Sequence, residues 1–72
     1  MISGKAPLEL VEIARAGQSL EVNACDYEGL ELANVAAALK PGAQLKICNS
    51  VAKSAQEMSI IAAATPEKVI FI

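Results

Sequence analysis

The chain contains no histidine and no tryptophan, and its only aromatic residues are Tyr27 and Phe71. Without histidine it lacks the side chain most often used near neutral pH as general base, proton shuttle and metal ligand. With aromatics at 3% of residues, the core has to be built from aliphatic side chains and from fourteen alanines. Cysteine is equally scarce. Cys25 and Cys48 are the only two, too few for the disulfide framework of a small secreted domain. A reducing, cytoplasmic setting is therefore expected.

Long apolar segments are missing too. The opening Met-Ile-Ser-Gly-Lys has none of the apolar stretch a signal peptide requires. The apolar run Ile60–Ala64 is far short of the roughly 20 residues of a membrane span. No charge of one sign dominates: six basic and eight acidic residues leave a net charge of −2. The basic residues stand singly along the chain, whereas nucleic-acid binding needs a basic face. Neither a membrane nor a nucleic acid is expected as a partner.

What is present is hydrophobic bulk, 54% of 72 residues. That excludes disorder and gives a single domain over residues 1–72. A domain this small buries only about 60% of its unfolded surface, so a partner would help to stabilise it.

The chain also resembles itself. Leu8-Glu9-Leu10 aligns with Leu30-Glu31-Leu32 and more loosely with Gln56-Glu57-Met58. Ile13-Ala14 aligns with Val35-Ala36 and Ile61-Ala62, and Leu20-x-Val22 with Leu45-x-Ile47 and Val69-x-Phe71. The spacing of 22 to 26 residues holds one helix and one strand. Helices are predicted over 7–16, 28–39 and 54–64 from apolar residues at helical spacing. Pro7 sits in the first turn of one, Asp26 is the expected N-cap of the next, and Ser54-x-x-Glu57 reads as a capping box. Gly17, Lys40-Pro41-Gly42 and Thr65-Pro66 are the expected stops. Strands are predicted over 19–24, 44–49 and 68–72. Leu20, Val22 and Ala24, then Leu45, Ile47 and Asn49, then Val69 and Phe71 are expected on one face.

An α-β-α-β-α-β order implies an α/β fold of three short repeats. The expected sheet is three-stranded and parallel, in sequential order, with all helices on one face. Leu32, Val35, Ile47, Ile61 and Phe71 are its expected core, and the helix over 54–64, apolar on nearly every side, should be mostly buried. The segment Leu20-x-Val22-x-x-Cys25-x-Tyr27 resembles the L-x-L-x-x-(N/C)-x-L core of a leucine-rich repeat, nearest to the helix-bearing, ribonuclease-inhibitor-like kind. The likeness covers about two units. It departs at Ser50, where the pattern has Asn or Cys. The resemblance implies a curved scaffold that binds a protein partner.

Nothing in the residues points to catalysis, and no enzyme activity, cofactor or metal is expected. The alignment puts Cys25 opposite Ser50 and Cys48 opposite Asn23, two residues out of register. On neighbouring strands about 4.8 Å apart, with about 3.3 Å per residue, their Cα atoms would be about 8 Å apart. That is too far for an unstrained disulfide, so two free thiols are expected. Glu9 and Glu12, like Glu28 and Glu31, can share a helix face as solvated acids. Lys40-Pro41-Gly42-Ala43 precedes a strand, whereas a phosphate loop must precede a helix.

Strand alternation leaves a second, helix-free face made of Glu21, Asn23, Lys46, Cys48, Ile70 and Ile72. Glu21 should neighbour Lys46 as an ion pair, and the strip becomes apolar toward the last strand. Parallel sheets rarely leave a face in water, and an open edge is a template for pairing. These six residues form the expected interface of a homo-oligomer, with a dimer favoured because two-fold closure is commonest. The other reading is a regulatory or inhibitory binder that uses the same surface against one foreign protein.

Overall fold

Each of the three helices begins with the same contact, a glutamate in its first turn reaching back to a backbone N–H. In the computed structural model, which describes residues 1–64 and 68–72, Glu9 Oε1 accepts from the Ala6 N–H at 2.8 Å and Glu31 Oε1 from the Glu28 N–H at 2.8 Å. Glu57 Oε1 accepts from the Ser54 N–H at 3.1 Å, and Ser54 Oγ accepts from the Glu57 N–H at 3.1 Å in return. The last is a complete capping box. These contacts start α1 (Pro7–Arg15), α2 (Gly29–Ala37) and α3 (Ala55–Ala64). Pro7 is in the first turn of α1, and Gly17, at φ 94°, follows its end in the left-handed conformation.

The N-cap of α2 is Glu28 and not Asp26, which lies in a short 3-10 turn, Ala24–Asp26. That turn uses the residues expected to lead straight into the helix. A matching turn, Ser50–Ala52, follows the second strand. α2 ends at Ala37, short of the Pro41-Gly42 stop, although Leu39 remains buried. The expected Thr65-Pro66 stop lies outside the described residues.

Strands β1 (Leu20–Asn23), β2 (Leu45–Cys48) and β3 (Val69–Phe71) form a parallel sheet in the order β1-β2-β3. The register pairs Leu20 with Leu45 and Leu45 with Val69, then Val22 with Ile47 and Ile47 with Phe71. These are the residues that share columns in the sequence alignment. Leu20, Val22, Leu45 and Ile47 are buried in one cluster with Leu10, Leu32, Val35, Ala36 and Ile61 from the three helices. The helices therefore lie on the face that carries the odd residues of β2.

Three expectations about this side of the sheet fail. Asn49 is exposed, because the chain leaves β2 through a left-handed residue (φ 57°) that swings its side chain out. Phe71 is only half-buried, and α3 buries Ile61 alone. α2 lies between two helices and buries five residues. Among the described residues, α3 packs against a helix on one side only, that of α2.

Units are also tied along the sheet direction at one position, the residue before each N-cap. The Tyr27 hydroxyl donates to the Lys5 carbonyl at 2.8 Å, and Lys53 Nζ donates to the Tyr27 carbonyl at 2.5 Å. At the start of α2, Gly29 leaves room for the next unit. A Cβ there would stand 3.3 Å from Glu57 Cγ and Oε2.

Candidate interaction surface

The even residues of β2 and β3 and the odd residues of β1 form the helix-free face. The register places Glu21, Lys46 and Ile70 in one row and Asn23 beside Cys48 in the next. Glu21 Oε2 is 3.9 Å from Lys46 Nζ, and Glu21 Oε1 is 3.6 Å from the Met1 amine. Half-exposed ion pairs of this kind contribute about 0–1 kcal/mol; they neutralise this side of the face more than they stabilise it. Asn23 is also occupied, since its Oδ1 accepts from the Cys25 N–H at 2.9 Å and begins the 3-10 turn.

The other side of the face is apolar. Cys48 and Ile70 are half-buried, and Ile72 is 59% exposed. Ile72 nevertheless has an ordered backbone. Its N–H donates to the Ile47 carbonyl at 2.9 Å, and its carbonyl accepts from the Ser50 N–H and hydroxyl, both at 3.0 Å. So the six residues expected at an interface divide in two. Glu21, Asn23 and Lys46 are engaged with one another or with the backbone, while Cys48, Ile70 and Ile72 leave an apolar strip along the last strand.

A second feature adjoins that strip. The inward residues Leu45 and Ile47 of β2 are fully buried, but their counterparts Val69 and Phe71 on β3 are half-exposed. On the helices, Leu32 and Ala36 are fully buried, whereas the aligned Met58 and Ala62 are not, and Ile60 is 40% exposed. The flank between α3 and β3 thus presents the type of surface that unit two buries against unit three. The opposite edge of the sheet is partly covered. Ile2 forms a parallel bridge with Val22, its N–H donates to the Glu21 carbonyl at 2.8 Å, and its side chain packs on the core. Sequence reasoning missed this bridge; a β-branched Ile2 just before Gly4, which turns at φ 73°, was the available signal. The α3 flank was missed because a helix apolar all round reads as core.

Chemistry elsewhere is sparse. Cys25 is exposed, Cys48 half-buried, and both are free thiols. Among the described residues no three His, Cys, Asp or Glu side chains gather as metal ligands. A shallow groove between α1 and α2 is lined by Leu8, Val11, Arg15, Asn34, Ala37 and Ala38; its lining pairs no acid with a base or nucleophile. Two groups have perturbed titration. Burial pushes the Tyr27 hydroxyl up, helped by the Asp26, Glu9 and Glu31 charges. The Ser54 backbone N–H holds the Glu57 carboxylate below its usual value, against some desolvation and with help from Lys53. Both belong to contacts that join units or cap a helix. No helix among the described residues is long and apolar enough to cross a membrane. Compared with known proteins, the chain matches no family model, no curated protein and no solved structure.

Proposed function

We propose that this chain is a small, non-enzymatic protein-interaction module, in the style of a leucine-rich-repeat scaffold, that self-associates through its C-terminal end. The contact consists of the open edge of β3, the apolar strip of Cys48, Ile70 and Ile72, and the flank between α3 and β3. One observation carries this reading: Val69 and Phe71 are half-exposed where their counterparts one and two units earlier are buried. Repeat units bury this kind of flank against a neighbour, and on unit three the described flank is apolar. Covering Ile70 and Ile72 would contribute roughly 1.5–3 kcal/mol each. Two free thiols in a small chain support a reducing, cytoplasmic setting.

Light scattering of the wild type and of a double variant, Ile70→Lys with Ile72→Glu, tests the proposal. Both side chains are on the helix-free face or beyond it, so the variant should keep its circular dichroism spectrum while its mass falls to that of one chain. A wild type that is already a single chain at high micromolar concentration would remove self-association and favour a foreign protein on the same surface.

A further inference from the structure

The edge of β3 can satisfy itself in one way better than any other. The Lys68 carbonyl accepts from the Leu45 N–H at 2.7 Å and the Ile72 N–H donates to the Ile47 carbonyl at 2.9 Å, so both residues face β2. Ile70, between them, faces β2 as well by alternation. Val69 and Phe71 therefore turn their N–H and C=O groups to the outer edge, where the sheet ends. These outward residues are two apart. Resting on the self-association proposed above, we infer that two copies join their β3 strands antiparallel about a two-fold axis that passes between the two Ile70 residues.

The register follows from the count of outward groups. Setting Val69 opposite the second copy's Phe71, and Phe71 opposite its Val69, places both outward residues in hydrogen-bonded pairs. Within β3 as described, Val69–Phe71, centring the axis on Val69 or on Phe71 sets only one strand residue opposite another in a hydrogen-bonded pair. With both engaged, Ile70 faces its own counterpart at a non-hydrogen-bonded position, where side chains approach closest. Charge agrees with this arrangement. Lys68 comes opposite the second copy's Ile72 and stays four residues from the other Lys68, so no like charges meet. A head-to-tail stack would need an open edge at β1, and Ile2 already bridges the middle of that edge. Two-fold pairing needs the C-terminal end alone and closes on itself.

Disulfide trapping reads the register directly. In a background of Cys25→Ser and Cys48→Ser, Ile70→Cys would bring two thiols across the axis with Cα atoms about 4.5 Å apart, within disulfide reach. Oxidation with diamide should convert most of the Ile70→Cys protein to a band of twice the mass on a non-reducing gel, reversed by dithiothreitol. Ile72→Cys and Leu8→Cys, treated alike, should stay as single chains. If Ile70→Cys has the mass of two chains in solution yet forms no crosslink, or if Ile72→Cys crosslinks in its place, the register is wrong while self-association stands. If the wild type and Ile70→Cys both sediment as single chains, the pairing and the proposal beneath it are overturned together.

Discussion

Tyr27 reaches back across one unit to Lys5, its hydroxyl donating to the Lys5 carbonyl at 2.8 Å. Lys53 repeats the move one unit later on the carbonyl of Tyr27 itself. Three residues at one aligned position are thus joined by two rungs parallel to the sheet's hydrogen bonds, in which the side chains of Tyr27 and Lys53 each serve the backbone of the unit before. A tyrosine and a lysine share a position for this reason: both are long side chains that end in a donor.

Tyr27→Phe keeps the ring in the core and removes only the rung. Its cost should be that of one part-buried hydrogen bond, about 0.5–1.5 kcal/mol, seen as a lower urea midpoint at unchanged slope. A variant as stable as wild type would mean the ladder follows from the packing and adds nothing to it. The hydroxyl's own titration gives a second check. Its folded pKa is raised, mainly by burial, so its contribution is complete below the ordinary value near 10 and is lost as pH rises through the raised one. Tyr27→Phe should lack that alkaline loss.

Glu57 predicts the opposite limb. The Ser54 N–H holds its carboxylate below the ordinary value, so the stability it brings is present above the unfolded pKa and is lost as pH falls through the depressed one. Wild type and Glu57→Gln should differ most near pH 7 and converge as the solution is acidified, when both are followed by urea unfolding. A gap that stays constant down to pH 3 would show that the charge on Glu57 is not what stabilises the start of α3.

Much of this was legible in the sequence because repetition states each rule three times. The column Glu9, Glu31 and Glu57 marks a helix start wherever it occurs, and Leu20, Leu45 and Val69 fix the register because a slip of one residue would turn each strand's apolar set outward. What was not legible depends on position in the array and not on residue type. Phe71 and Ile47 share a column, yet Ile47 has a strand on both sides and Phe71 on one. Ile2 pairs with β1 without any counterpart among the units. Asp26 failed as a cap because the chain spends it in a 3-10 turn first. At the candidate surface the Glu21–Lys46 pair was readable from register alone, whereas the use of Asn23 by the Cys25 N–H needed the turn to be seen.

Core and edge should respond differently to truncation. Ile47 is fully buried on the central strand, and Ile47→Ala should cost roughly 2–5 kcal/mol, enough to unfold most of a domain this small. Phe71→Ala removes a larger but half-exposed side chain, and should cost less than Ile47→Ala when unfolding is measured on dilute, dissociated protein. The reverse order would mean that β3, not β2, is the centre of the sheet.

Sedimentation equilibrium of the wild-type chain, from low micromolar to several hundred micromolar, tests the central claim most directly. The account predicts a mass that rises with concentration from one chain of 7.5 kDa to a limit of two, with no larger species, because two-fold pairing uses up the open edge of β3 in both copies. A mass of 7.5 kDa across the whole range, or one that climbs past two chains without limit, would contradict it.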